Sequence, residues 1–218
     1  MTTTPLPIIH INGFPGTGKL TIAKELQRLI GAPRCRLVHN HLLINPADAV
    51  LPRSAPGYQE LRRALRQAVF ATLATDETTR GCVYVFTDFQ SSNPVGTAVC
   101  AEFRAAARGR GCELISVVLE CKEEVNVARL TSVDREVHHK IVDPALLRSF
   151  RQRSTIHRYV DLPSQLELDV TEKTATEAAE QILQHLLTIS PNIVAKEQEG
   201  QRPGFGTAVP LGTHLGSA

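Results

Sequence analysis

Five short apolar runs punctuate the chain, at Leu6 to Asn12, Arg36 to Asn40, Cys82 to Thr87, Glu113 to Leu119 and Leu166 to Val170, and segments of helical periodicity separate them. Such alternation predicts βαβ units and a mainly parallel five-stranded sheet, an α/β fold. The first helix is predicted over Lys19 to Ile30, because Gly31 and then Pro33 stop it. Leu61, Leu65, Ala68, Val69 and Leu73 recur at helical spacing between Tyr58 and Thr79, with Glu60, Arg62, Arg63 and Arg66 on the other faces. Further helices are expected to start near Asn93-Pro94 and near Lys122. The last follows the capping box Thr174 to Glu177, with Ala178, Ala179, Ile182, Leu183, Leu186 and Leu187 as its core face. Periodicity ends at Ser190. Residues 1–190 are therefore read as one domain and 191–218 as a loose tail.

The junction of the first run and the first helix carries the clearest chemistry. Gly13-Phe14-Pro15-Gly16-Thr17-Gly18-Lys19-Leu20-Thr21 has the make-up of a phosphate-binding loop. Its three glycines permit a tight turn whose backbone N–H groups converge on an anion. Lys19 supplies an ammonium, and the helix behind presents its positive dipole end. ATP or GTP is the expected ligand. Leu20 stands where a Ser or Thr hydroxyl usually meets magnesium, and an isobutyl group cannot coordinate a metal. Thr21, one helical step on, points elsewhere. Magnesium keeps several waters and leans on phosphate oxygens, so the loop still accommodates it.

Composition narrows the setting. A length of 218 residues with 42% hydrophobic content suits one domain with a sizeable core, and a net charge of +2 gives no general signal for polyanions. Seven Phe, three Tyr and no Trp also count against a stacking groove for single-stranded nucleic acid. With neither a signal-peptide start nor an apolar stretch of membrane-spanning length, a cytoplasmic protein is expected, monomeric or homodimeric. Cys35, Cys82, Cys100, Cys112 and Cys121 lack paired spacing and read as buried free thiols.

Ligands of open parallel sheets lie beyond the carboxyl ends of the strands, which singles out the residues after each apolar run. Asp88 follows the third run and is the candidate for magnesium, through water; Gln90, Ser91, Ser92 and Asn93 add hydrogen-bonding groups for an acceptor. His39-Asn40-His41 follows the second run, and Glu120 ends the fourth. Alternation on a strand would put at most His39 and His41 on one side, two ligands without a third for a metal. Between Arg129 and Arg158 seven cations face three anions, a composition suited to a lid over migrating phosphate charge. Arg129 and Arg135, nearest the fourth run, are the catalytic candidates there; Arg151, Arg153 and Arg158 read as a solvated basic face.

On Gly13 to Thr21, Asp88, Arg129 to Arg135 and Lys140 to Pro144, the chain resembles the P-loop kinases of small molecules and nucleotides, which include adenylate kinase, shikimate kinase and chloramphenicol phosphotransferase. The resemblance spans roughly residues 6 to 188. It implies a three-layer α/β/α P-loop NTPase domain, a sheet of order 2-3-1-4-5, a helical lid at about 131–158, ATP and Mg2+, and an acceptor site over the second and third strands. It assigns the outer phosphates to Lys19, the lid arginines to Arg135 and Arg129, and the adenine to the turn after Val170. Several relatives have a basic Asp after strand two, where this chain has His39-Asn40-His41 with Asp48 further on. A histidine titrating near neutrality can take a hydroxyl proton; asparagine cannot. Two other readings stand beside a phosphotransferase acting on a small molecule or nucleotide: a nucleotide-binding regulator without turnover, and a polynucleotide kinase.

Overall fold

The computed structural model describes residues 4 to 131 and 143 to 193. Five parallel strands, β1 (Ile8–Gly13), β2 (Cys35–His39), β3 (Val83–Asp88), β4 (Leu114–Glu120) and β5 (Leu166–Asp169), lie in the order β2-β3-β1-β4-β5. Every residue of β1 is buried, as expected where helices cover both faces of a parallel sheet. Alternate side chains divide between two cores. Ile9 and Ile11 join α1 (Lys19–Ile30) and α7 (Ala175–Ile189) on one face; Ile8 joins α3 (Tyr58–Thr75) and α4 (Pro94–Arg110) on the other.

Shorter helices complete the crossovers. They are α2 (His41–Val50) after β2, α5 (Glu123–Leu130) after β4, and α6 (Pro144–Arg153) before β5. Among the described residues no helix is long and apolar enough to cross a membrane. The register sets Asn12 opposite Asp88 and His39 opposite Thr87, so the ends of β1, β2 and β3 emerge together on one sheet edge.

Local chemistry fixes several boundaries as expected. The Asn93 side chain accepts from Gly96 N at 2.7 Å with Pro94 in the first turn of α4, and the capping box at Thr174 and Glu177 is formed. Four expectations need correction. Helix α3 stops at Thr75, because Asp76 caps a separate 3-10 turn, Glu77–Thr79. Its buried face is Tyr58, Arg66, Phe70 and Leu73, with Ala68 exposed; Arg66 goes inward because Glu102 of α4 accepts its guanidinium at 2.9 and 3.2 Å. The segment expected as tail also begins inside the fold: Pro191–Ile193 form a 3-10 turn and Ile193 is wholly buried. Residues 194 to 218 lie outside the described residues. Of the five free thiols, Cys82 and Cys112 are only half-buried, since they precede their strands.

A buried titratable group sits within β1. His10 is fully buried, stacked on Phe103 at 4.1 Å between ring centroids, with Nδ1 3.1 Å from the Tyr159 hydroxyl. Desolvation lowers its pKa to about 4, with Asp88 opposing the shift and His157 adding to it. Because the folded value lies below the ordinary 6.5, the unfolded chain binds the proton more readily between these values. This histidine's contribution is complete above about pH 6.5 and is lost as pH falls toward 4, up to about 3 kcal/mol. Urea unfolding at pH 7 and pH 4.5 should therefore show a smaller acid-induced loss for His10→Phe than for the wild type; equal losses would refute it.

Candidate active site

The loop between β1 and α1 is built to leave its amides facing outward. Gly16 and Gly18 have φ of +92° and +88°, which favour glycine. A Cβ on Gly16 would also stand 2.5 Å from Asn126 Nδ2 and 2.8 Å from its backbone oxygen, so the position excludes any side chain. Thr17 is buried and its hydroxyl donates to Phe14 O at 2.9 Å, closing the turn. Gly18 precedes α1 and no side chain caps this helix end, so its first-turn N–H groups face the anion site without a protein acceptor at the cap. Lys19 Nζ donates to Gly13 O at 2.6 Å and to Phe14 O at 2.7 Å, which holds the ammonium over the loop.

Asp88 stands beside this loop because β3 pairs with β1. It is buried; one oxygen accepts from Phe89 N at 2.8 Å and the other from Gln90 Nε2 at 2.6 Å. Each oxygen keeps a second lone pair for water or metal. Asn12 braces the same edge, its Oδ1 accepting from Gly13 N at 3.0 Å and Gln90 N at 2.8 Å while Nδ2 donates to Gln90 O at 2.8 Å.

These parts open on one cavity of about 880 Å³, within the range of small-ligand sites. Its wall includes residues 15 to 22, His39, Asn40, His41, Asp88, Gln90 and Arg129. Gly13 and Phe14 do not line it; their carbonyls hold Lys19. Arg129, near the end of α5, donates to Val170 O at 2.9 Å, Thr171 O at 3.3 Å and Lys173 O at 3.4 Å, so it joins the β4 side of the cavity to the turn after β5. Among the described residues no three His, Cys, Asp or Glu side chains are grouped to hold a metal.

No protein-family model matches the sequence, and no curated protein matches it. Solved structures do. The chain superposes on a gluconokinase from Sinorhizobium meliloti 1021 with a TM-score of 0.57 and 17% identity, over 88% of this chain and 97% of that one. For a sugar kinase from Janibacter sp. HTCC2649 the TM-score is 0.60 at 18% identity, over 88% of this chain and 100% of that one. A shikimate kinase from Acinetobacter baumannii gives 0.53 at 21% identity, over 86% and 96%. The fold is that of the P-loop small-molecule kinases.

Within this P-loop kinase fold several sequence expectations change. Strand β2 ends at His39, and Asn40 turns the chain into α2, so alternation along a strand does not govern His39 and His41. Their ring centroids lie 6.3 Å apart, and both face the cavity. Of the four polar residues after Asp88 only Gln90 lines it: Asn93 caps α4, and Ser91 pairs with Ile156 in an isolated bridge. Glu120 is not in the wall and pairs with Arg158, which also binds Glu167 at 3.0 Å. Asp48 accepts from Arg53 at 3.1 and 2.7 Å and from Tyr58 at 2.6 Å; the Arg53 hydrogen bond holds its carboxyl below the usual range, which makes it a poor base.

Arg151, expected on a solvated face, instead buttresses the phosphate loop. Its guanidinium lies 5.3 Å from the Phe14 ring centroid and donates to Asn126 Oδ1 at 3.1 Å and Cys121 O at 3.2 Å; Asn126 Nδ2 in turn donates to Pro15 O at 2.7 Å. Sequence gave no sign of Asn126, because its role depends on α5, α6 and the loop meeting in space. Arg135 lies outside the described residues.

Proposed function

We propose that the chain transfers the terminal phosphoryl group of ATP to a hydroxyl of a small molecule or nucleotide. The observation that carries this reading is the order of parts along one sheet edge: phosphate loop after β1, Asp88 at the end of β3, His39 at the end of β2, all on one cavity. The gluconokinase, sugar kinase and shikimate kinase that share the fold favour a compact hydroxylated acceptor.

In this reading the amides of residues 16 to 21 and Lys19 hold the β- and γ-phosphates, and Arg129 borders the nucleotide's other end. The acceptor oxygen, seated over β2 and β3, attacks the γ-phosphorus; its bond forms as the bond to the bridging oxygen of ADP breaks. His39 or His41 takes the hydroxyl proton. Asp88, through water, would hold magnesium beside the phosphates, and the ion would neutralise charge on the transferring group. Leu20 contributes no ligand, so more of that duty falls on Asp88 and water. Such chemistry depends chiefly on positioning and electrostatics, for which the enclosing walls and fixed donors suffice.

ADP release measured with a panel of hydroxylated metabolites, nucleosides and short RNA tests the proposal. One acceptor should raise turnover well above background hydrolysis. Tight ATP binding with no such acceptor would instead indicate the regulator that Leu20 favours, and turnover on RNA a polynucleotide kinase.

A further inference from the structure

One amide of the phosphate loop has its direction set from outside the loop, by α5 and α6. Pro15 carries no N–H, so Gly16 supplies the first amide of the turn at residues 15 and 16. The Pro15–Gly16 peptide is planar and trans, and its C=O and N–H point opposite ways. Whatever holds Pro15 O away from the cavity therefore turns Gly16 N–H toward it. That group is Asn126, whose Nδ2 donates to Pro15 O at 2.7 Å. Asn126 is wholly buried and is not part of the cavity wall, so the carbonyl faces protein. A glycine at 16 would tolerate the reversed peptide as readily, which leaves this hydrogen bond to choose between the two.

An amide side chain can show either its oxygen or its nitrogen to the loop, and Arg151 decides which. A guanidinium only donates. Arg151 gives a hydrogen bond to Asn126 Oδ1 at 3.1 Å, and Nδ2 is left for Pro15 O. Arg151 is fixed in turn by Cys121 O at 3.2 Å and by Glu123 at 3.8 Å. Packing alone does not account for an asparagine here. In the middle of α5, buried against protein, leucine or alanine would favour the helix more and carry no polar group to desolvate. The two side-chain bonds that offset this cost both serve the orientation of the loop.

We infer that Asn126 is a positioning residue for phosphate binding: held by Arg151, it locks the Pro15–Gly16 peptide with the Gly16 N–H toward the anion. It touches no ligand itself. The inference rests on the reading of this loop as the seat of nucleotide phosphates, though not on transfer to an acceptor.

Inorganic pyrophosphate, ADP and adenosine provide the test, because adenosine brings no phosphate to the Gly16 amide. Asn126→Leu keeps the volume of the side chain and removes both hydrogen bonds. It should weaken pyrophosphate and ADP by about 10-fold or more, the scale of a hydrogen bond to a charged group, and leave adenosine affinity unchanged. Saturating pyrophosphate should move the assigned Gly16 1H–15N resonance in the wild type and much less in Asn126→Leu. Arg151→Met, at a partly exposed side chain, should weaken ADP in the same direction, with recovery in Arg151→Lys, whose ammonium can still only donate to Asn126. These two variants decide by the same readouts should Asn126→Leu not fold. The double variant should bind ADP no worse than Asn126→Leu alone; a fully additive loss would mean that Arg151 acts through Phe14 and would break the relay. Equal losses for adenosine and ADP would reduce Asn126 to a packing role. A wild type that binds neither pyrophosphate nor ADP contradicts the phosphate-loop reading itself, whereas variants that bind both like the wild type, with the Gly16 shift intact, contradict the relay alone.

Discussion

Lys19→Ala is expected to weaken ATP binding at least about 30-fold, the scale on which removal of one partner from an enclosed ion pair acts. Lys19 Nζ is poised by Gly13 O and Phe14 O at 2.6 and 2.7 Å, so the ammonium already sits over the loop. On nucleotide binding it exchanges these carbonyls for phosphate oxygens, whose full charge makes the new bonds stronger. Alanine removes the charge and leaves the amides of residues 16 to 21, which explains why binding should fall sharply without vanishing. Calorimetric titration with ATP checks this, and a melting curve alongside shows whether the loss is local. Unchanged affinity would mean that the loop does not hold the outer phosphates.

Asp88→Asn should lower turnover by about 10- to 100-fold, as loss of an outer ligand of a metal does, while ATP affinity without metal stays near that of the wild type. The substitution keeps the shape of the side chain, and its carbonyl oxygen still accepts from Phe89 N, a bond of 2.8 Å in the native chain. Gln90 can turn its amide to face the new donor. Only the negative charge is removed. Dependence of turnover on magnesium concentration separates the cases: a shift to higher concentration supports the role given to Asp88, and an identical profile limits it to bracing the loop after β3.

Much of this site is local chemistry and therefore legible in the sequence. The glycine spacing, Lys19 and the start of α1 are set within nine residues, and the strand runs follow from burial on both faces of the sheet. Asp88 follows from its place after an apolar run. Features that depend on distant partners were hidden. Arg66 looks like a surface charge until Glu102 is brought beside it, and Arg151 looks solvated until α6 lies against Phe14 and Asn126. Helix α2 was missed because Pro46 and the short run after Asn40 obscure its periodicity, and with it the approach of His41 to His39.

Where a nucleotide binds decides what this cavity does. A crystal structure with AMPPNP and Mg2+ should show the β- and γ-phosphates wrapped by residues 16 to 21 and Lys19, magnesium with Asp88 in its outer shell, and the base beside Arg129 and the turn after Val170. A nucleotide bound anywhere else, or a loop that stays empty at saturating ligand, would contradict it.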